Sequence, residues 1–373
     1  MRIVQSATIL LLFIAPCPVS AQTGDPNAES CVSKSGDEEI TGCTRAIASG
    51  RYSGVDLATL FYNRGTSYAL MNDYSHALVD YAEAIQINPR NAAVFYNRGS
   101  LYYKRQDYAL ALADFGEAIR LSPHDAGAFY NRGLTYAAMG GNDRAIADFG
   151  EAIRLRPENA ANFYNRGLMY HGKADYPQAI ADFSEAIRID PQFASAYNNR
   201  GYAYATMQDT THAFADYNEA IRLDPRLSVA YNNRGNAYSA LHAYAKAIAD
   251  YNMAVGLDPQ NAKAFNNRGL ARYLLNNDAH AIADYNEAIR LDPRLSMAYN
   301  NRGNAYLDRH RYADAIADYN VAIRLDPQDA KALYSRGCAN ARVGRSAQSK
   351  ADMDRALAID PNIRENVKLP KLN

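Results

Sequence analysis

The histidines are the side chains that an enzyme or a metal centre would use first. There are seven, and no two fall in the same repeat of the array defined below; they are His76, His124, His171, His212, His242, His280 and His310. A metal site or an activated nucleophile needs several such groups close together. The chain also lacks the HExxH, P-loop, GxSxG and CxxC patterns. We therefore expect no catalytic residue, no metal ion and no cofactor.

Arginine and aspartate form a second regular pattern, because each recurs nine times with a step of 34 residues. The arginines are Arg64, Arg98, Arg132, Arg166, Arg200, Arg234, Arg268, Arg302 and Arg336, and the aspartates are Asp80, Asp114, Asp148, Asp182, Asp216, Asp250, Asp284, Asp318 and Asp352. The two rows could form one ion pair in each repeat, or the arginines could bind an anionic ligand. The strict co-occurrence with aspartate favours the ion pair.

Glycine and proline keep the same step, from Gly65 to Gly337 and from Pro89 to Pro361. An internal period of this length indicates a solenoid or a propeller. With the glycine at position 8, the array contains nine repeats, which are 58–91, 92–125, 126–159, 160–193, 194–227, 228–261, 262–295, 296–329 and 330–363. Residues 1–21, 22–57 and 364–373 are predicted to be a signal peptide, an N-terminal cap and a C-terminal tail.

Each repeat reads as two helices. In the fifth repeat, Tyr197, Gly201 and Tyr204 fall on one stripe of a helix at about 100° per residue. A second apolar stripe contains Tyr217 and ends before Pro225, because the residue that precedes a proline is disfavoured in the α region. The glycine has no side chain and allows close approach of the neighbouring helix.

This unit has an aromatic residue at position 4, Gly at 8, Tyr at 11, Ala at 20, an aromatic residue at 24, Ala at 27 and Pro at 32. It resembles the tetratricopeptide repeat (TPR) family over residues 58–363. The resemblance implies an all-α solenoid of nine helix-turn-helix repeats in a right-handed superhelix. It also implies that positions 2, 5, 6, 9, 12 and 13 of the first helices line a concave groove. The repeats depart locally from the pattern, with Arg272 at position 11 and a more polar last repeat, as expected of a capping unit.

Position 6 holds asparagine in eight of nine repeats, as Asn63, Asn97, Asn131, Asn165, Asn199, Asn233, Asn267 and Asn301. On a helical wheel it lies opposite positions 4 and 8, away from the core of its own repeat. Asparagine is a poor helix former, and an amide both donates and accepts hydrogen bonds. We expect an asparagine ladder that holds the backbone of an extended peptide. In the alternative interpretation, each amide bonds to a neighbouring helix or is inherited by duplication.

Position 5 differs between the halves of the array. The first four repeats have Tyr62, Tyr96, Tyr130 and Tyr164, and the next four have Asn198, Asn232, Asn266 and Asn300. Tyrosines in a groove bind partners well, so both sets are predicted to contact a ligand. The alternative for the tyrosines is packing between repeats.

The N-terminus predicts export. Arg2, an apolar run over 7–15 and small residues up to Ala21 resemble a secretory signal that is cleaved near Ala21, which would make the protein periplasmic or secreted. Lipidation at Cys17 is the alternative, but Pro16 stands where a small residue is required.

Three cysteines would remain after signal cleavage. Cys31 and Cys43 are predicted to pair in an oxidising compartment, with Cys338 left over; three free thiols are the alternative. The 31–43 disulfide would close a degenerate half-repeat over residues 29–50 that caps the front of the array.

The charge balance narrows the choice of partner. Lysine plus arginine and aspartate plus glutamate number 40 each, which indicates neither nucleic acid nor an anionic membrane as the partner. No stretch is apolar enough to span a bilayer. The sequence predicts a non-enzymatic scaffold that binds a peptide or partner protein. The alternative is a module that handles envelope polysaccharide, since tyrosine and asparagine can also stack on and hydrogen-bond sugars.

Overall fold

The computed structural model describes residues 25–366, and within that range every regular element is a helix. The chain divides into two compact units, residues 1–192 and 193–373, which are described separately. Unit 1 contains α1 (Pro26–Ser33), α2 (Asp37–Ala48), α3 (Gly54–Leu70), α4 (Tyr74–Ile87), α5 (Ala92–Lys104), α6 (Tyr108–Leu121), α7 (Ala126–Ala138), α8 (Asn142–Leu155), α9 (Ala160–Gly172) and α10 (Tyr176–Ile189). Unit 2 contains α11 (Ala194–Thr206), α12 (Thr210–Leu223), α13 (Ser228–Ala240), α14 (Tyr244–Leu257), α15 (Ala262–Leu274), α16 (Asp278–Leu291), α17 (Ser296–Asp308), α18 (Tyr312–Leu325), α19 (Ala330–Arg342), α20 (Ser346–Ile359) and α21 (Ile363–Asn366).

The two helices of each repeat pack through the glycine at position 8 and the aromatic ring at position 24. A Cβ atom on Gly269 would lie 2.7 Å from Cε1 of Tyr285, and a Cβ atom on Gly303 would lie 2.7 Å from Cε1 of Tyr319. Both rings are fully buried. The missing side chain therefore lets the ring lie flat against the first helix, which is the close approach predicted from the sequence.

The turn between the helices uses a left-handed residue at position 15. Five of the seven non-glycine residues there are polar or charged types that tolerate this conformation, and φ lies between 57° and 65° at Asn72, Gln106, Ala174, Gln208, His242, Asn276 and His310. Gly140 and Gly344 have φ of 78° and 76° at the same position. Each reverses the chain at the end of a first helix.

Side chains at the helix starts satisfy free backbone N–H groups. Asn91, Asn159 and Asp329 accept from backbone nitrogens of the helices that follow them, as N-cap residues do. The sequence also suggests Ser228 and Ser296 as N-caps, and here the structure differs. Both serines are the first helical residue, and their Oγ atoms donate to carbonyl oxygens 26 residues further on.

The N-terminal hairpin packs its two helices closely. Cys31 and Cys43 are joined by a disulfide with a Cα–Cα distance of 4.6 Å, and both are fully buried. The hydroxyl of Tyr52 donates to Asp25 at 2.9 Å, which ties the following loop to the start of α1. The predicted signal peptide lies outside the described residues.

The last repeat ends in a small apolar cap. Ile363 of α21 is fully buried in the same cluster as Leu333 and Ala356. Over the described range, none of the helices combines the length and the apolar content needed to cross a membrane.

Candidate functional site

Each position-7 arginine forms an ion pair with the position-23 aspartate of its own repeat. The shortest N–O distance in each of the nine pairs is between 2.6 and 2.8 Å. In Arg132 and Asp148, for example, Nε and Nη2 donate to the two carboxylate oxygens at 2.8 and 2.7 Å. This bidentate bond raises the pKa of the Arg132 guanidinium. The structure thus has the ion pair, and the position-7 row is not a set of unpaired cations.

The position-6 asparagines of unit 1 are buried. Asn63, Asn97, Asn131 and Asn165 are 0–4% exposed. Each of the last three donates from Nδ2 to the hydroxyl of the position-5 tyrosine in the preceding repeat, at 3.1, 2.9 and 3.0 Å. Our prediction that these four line an open groove is therefore wrong in this unit. Stacking of the next first helix covers a face that a single helical wheel leaves exposed.

The position-5 tyrosines of unit 1 also serve packing. Tyr62, Tyr96 and Tyr164 are 0–6% exposed, and Tyr130 is half-buried. The ring centroids of Tyr96 and Phe115 are 6.0 Å apart, and those of Tyr130 and Phe149 are 5.7 Å apart. Burial raises the pKa of Tyr96 to about 12. The alternative of inter-repeat packing accounts for these contacts, and the prediction of a tyrosine binding surface is wrong for the buried rings.

Unit 2 has a more open arrangement at position 6. Asn199, Asn233, Asn267 and Asn301 are half-buried. Three of them donate to the position-5 amide of the preceding repeat: Asn233 to Asn198 at 3.1 Å, Asn267 to Asn232 at 3.4 Å and Asn301 to Asn266 at 3.0 Å. Of the position-5 amides, Asn198, Asn266 and Asn300 are buried, and Asn232 is half-buried. An amide at position 5 is smaller than a tyrosine, so it leaves part of its neighbour exposed.

Position 9 adds two amides to this surface. Oδ1 of Asn236 accepts from the Tyr251 hydroxyl at 2.7 Å, and Oδ1 of Asn304 accepts from the Tyr319 hydroxyl at 2.8 Å. These bonds orient each side chain so that Nδ2 is the end left over. The sequence prediction of the ladder left out Asn236 and Asn304, although their spacing of three residues from position 6 puts them on the same helix face.

We call Asn233, Asn236, Asn267, Asn301 and Asn304 the asparagine face. Among residues 25–366, no group accepts from Nδ2 of Asn236 or Asn304, and none donates to Oδ1 of Asn233 or Asn301. The face therefore offers spare donors and spare acceptors on neighbouring first helices. Its position-2 neighbours, Val229, Lys263, Met297 and Lys331, are exposed.

The histidines have local roles. Nδ1 of His76 and of His212 lies 2.7 Å from an aspartate at the start of the same helix, and His280 has Asn277 at 2.8 Å. Within the described part of the chain, no three His, Cys, Asp or Glu residues are grouped to hold a metal ion.

Comparisons with known proteins agree with this architecture. Family models described as TPR repeat match residues 65–105, 99–140, 169–208 and 303–344. Models described as tetratricopeptide repeat match residues 194–227, 228–261, 262–295, 284–317, 126–159 and 330–363. No curated protein sequence matches the chain.

Three solved structures share the fold at low sequence identity. A chain of the APC/C hetero-tetramer Cut9–Hcn1 matches with a TM-score of 0.56 and 15% identity over 91% of this chain and 82% of its own. A tetratricopeptide repeat protein from Parabacteroides merdae matches with a TM-score of 0.54 and 15% identity over 69% and 98%. PilF from Pseudomonas aeruginosa matches with a TM-score of 0.52 and 20% identity over 57% and 97%. The all-α helix pairs, the glycine–ring contacts and the matched models together show that the chain belongs to the tetratricopeptide repeat family.

Proposed function

We propose that the protein is an interaction scaffold that holds an extended segment of a partner protein on the asparagine face of unit 2. A tetratricopeptide fold implies a protein–protein interaction scaffold, and the asparagine face gives that role a location. The observation that carries the proposal is the set of spare amide donors and acceptors on neighbouring first helices.

A polypeptide backbone matches this chemistry. Each of its residues presents one N–H donor and one C=O acceptor. Nδ2 of Asn236 and Asn304 can donate to carbonyl oxygens, while Oδ1 of Asn233 and Asn301 can accept from amide N–H groups. Amides bind the backbone without reading side chains, and the exposed Lys263 and Lys331 add a preference for nearby acidic residues.

Unit 1 offers less support for a ligand on the equivalent positions. Its tyrosine and asparagine side chains at positions 5 and 6 donate to and accept from each other in a buried seam. The polysaccharide alternative depends on tyrosines that stack on sugar rings, and Tyr62, Tyr96 and Tyr164 are buried. We therefore propose the peptide as the ligand.

The test uses a double variant that changes only the outward end of two amides. Asn236→Asp with Asn304→Asp keeps an oxygen for each tyrosine hydroxyl and replaces the spare Nδ2 donor with a carboxylate oxygen. Twelve-residue peptides would be selected from a random phage-displayed library on residues 22–373, and their affinities measured by fluorescence anisotropy. We expect the double variant to lose about tenfold or more in affinity, because two donors become acceptors that repel carbonyl oxygens.

The matched control is Asn286→Asp with Asn320→Asp. These asparagines also lie in unit 2 and accept a hydrogen bond, from Arg302 and Arg336 at 2.7 Å, on the second helices. The control introduces the same two charges away from the asparagine face and should bind as the wild type does. Equal affinity of the wild type and the Asn236/Asn304 variant would exclude the asparagine face as the binding surface.

We further propose that the protein acts outside the cytoplasm. The N-terminal sequence pattern supports this, as does the disulfide between Cys31 and Cys43, because such bonds persist in oxidising compartments. Alkylation of the protein taken from its native cell, with and without reduction, tests the proposal. Two additional modified thiols after reduction are expected, and full alkylation before reduction would contradict it.

A further inference from the structure

The position-7 arginines have a third hydrogen-bond partner in unit 2. Nη1 of Arg234, Arg268, Arg302 and Arg336 donates to Oδ1 of an asparagine at position 25 of the preceding repeat, at 2.7 to 2.9 Å. The space between Nη1 and the preceding position 25 is called the arginine slot. In unit 2, an amide oxygen from the chain itself fills each of these four slots.

Three slots in unit 1 contain no such oxygen. Position 25 before Arg98, Arg132 and Arg166 is Ala82, Gly116 and Gly150, which have no polar side-chain atom. These arginines use Nε and Nη2 for their aspartates, and among the described residues nothing accepts from Nη1. At the front of the array, the first slot is filled again, because Arg64 donates from Nη1 to Thr44 at 3.1 Å.

The empty slots are accessible and have a firm floor. The three arginine side chains are 20–24% exposed. A Cβ atom on Gly116 would have no neighbour within 4 Å, and one on Gly150 would lie 3.8 Å from Nη1 of Arg166. Each guanidinium carbon lies 5.6 to 5.8 Å from the ring centre of the position-4 phenylalanine of its repeat. The donor is therefore held in place by a carboxylate and a ring.

The charges around the slots favour a neutral ligand atom. Each guanidinium is already neutralised by its aspartate, and the nearby Glu117 and Glu151 pair with Arg120 and Arg154. An anionic ligand would meet these carboxylates, whereas a neutral carbonyl oxygen would not. Unit 2 shows the fit directly, since an amide oxygen lies 2.7 Å from Nη1 of Arg234.

We propose that the slots of Arg98, Arg132 and Arg166 form a second binding site, which takes carbonyl oxygens of an extended, uncharged polypeptide segment. Equivalent helices of successive repeats are spaced by about 10 Å, and three residues of extended chain span about 10 Å. A segment of about seven residues could then place every third carbonyl oxygen in a slot. The site lies on a different surface from the asparagine face and does not depend on the proposed function.

The test fills the empty slots as unit 2 fills its own. The probe is a fluorescein-labelled, capped dodecapeptide of alternating serine and asparagine, measured against residues 22–373 by anisotropy. The Asn236→Asp/Asn304→Asp background removes binding at the asparagine face. In that background we expect the probe to bind, and Gly116→Asn with Gly150→Asn to weaken binding by about tenfold, since two hydrogen bonds are lost.

Two controls separate binding from folding. Gly116→Ala with Gly150→Ala leaves Nη1 unfilled and should retain most of the binding, while far-ultraviolet circular dichroism confirms that both pairs of variants are folded. Opening two slots in unit 2 by Asn252→Gly and Asn286→Gly should increase binding. Absence of binding in the Asn236/Asn304 background, equal binding by the Asn-filled and Ala variants, or tighter binding of a glutamate-containing probe would overturn the proposal.

Discussion

At the scale of single residues, one atom decides how two helices meet. Gly65, Gly201 and Gly303 all place their missing Cβ atom 2.7 to 3.0 Å from the ring of the position-24 aromatic residue. The sequence predicts this close approach because glycine recurs on the apolar stripe of the first helix. Gly116 shows that not every helical glycine has this purpose, since the space beside it is open.

Gly269→Ala should lower the free energy of unfolding by about 1–3 kcal/mol, because the new methyl group would overlap the ring of Tyr285. The matched change Gly116→Ala should raise it by up to about 1 kcal/mol, because alanine favours the helix and meets no neighbour. Urea unfolding followed by circular dichroism measures both. A similar loss in the two variants would show that the ring contact is not the cause.

Glu39 is a residue-scale exception to the rule that buried charges are paired. Its side chain is 3% exposed, and Oε1 has no hydrogen-bond partner among the described residues. Burial raises its pKa above the ordinary value of 4.5. The folded protein therefore binds this proton more tightly than the unfolded chain, so the contribution of Glu39 to stability falls as pH rises from the unfolded pKa through the folded one.

Glu39→Gln should remove that pH dependence and stabilise α2 at neutral pH. Hydrogen exchange of the α2 amides, measured at pH 4 and at pH 7, tests this expectation. Protection that falls between the two pH values in the wild type and stays level in the variant is the expected result, after correction for the intrinsic exchange rate. Parallel behaviour in both proteins would assign the pH dependence to another group.

At the scale of elements, polar side chains join the helices as regularly as the core does. The bond between Arg132 and Asp148 connects the two helices of a repeat, and the bond between Asn131 and Tyr96 connects first helices of successive repeats. Both lie beside a core made of small alanines and one aromatic ring per repeat. These bonds fix how far each helix turns about its axis.

Arg132→Ala and Asp148→Ala should show a coupling energy of about 1–3 kcal/mol in a double-mutant cycle. This pair is a clean choice because Arg132 donates to Asp148 alone among the described side chains. Denaturant unfolding of the wild type, the two single variants and the double variant gives the coupling. Additive losses would mean that the two residues stabilise the repeat independently.

The helix pairs and the Arg–Asp bonds could be predicted because both depend on spacing within one repeat. The surroundings of position 6 could not, because they depend on how one repeat stacks on the next. A helical wheel of one repeat leaves Asn131 exposed, yet the first helix of the preceding repeat brings Tyr96 to it. The same limit explains why Asn236 was missed: Tyr251 of its own repeat orients it, and the exposure of its amide depends on stacking.

At the scale of the whole molecule, the chain uses two versions of one repeat design. Unit 1 joins its first helices by bonds from asparagine to tyrosine, and unit 2 joins them by bonds from asparagine to asparagine. The first version buries the polar atoms, whereas the second leaves several of them available. We relate this difference to the proposed ligand surface on unit 2.

A chain that lacks residues 228–295, which are two whole repeats of unit 2, should still fold. The cut would put Asn301 and Arg302 where Asn233 and Arg234 stood, with Asn198 and Asn218 as their partners. We expect unchanged ellipticity per residue and a cooperative thermal transition. A deletion of residues 228–289 breaks the 34-residue phase and should lower ellipticity; equal behaviour of the two deletions would show that phase is unimportant.

The interchangeable bonds between repeats in unit 2 also bear on inheritance. Glu219–Ser239 and Glu287–Leu307 differ at two positions, and they begin 68 residues apart, which is two repeats. Recombination between the two coding stretches would remove or add 68 residues in phase, and each new junction would find the same amide and guanidinium partners. Copy number in this part of the gene can therefore drift between strains while every intermediate length remains a folded protein.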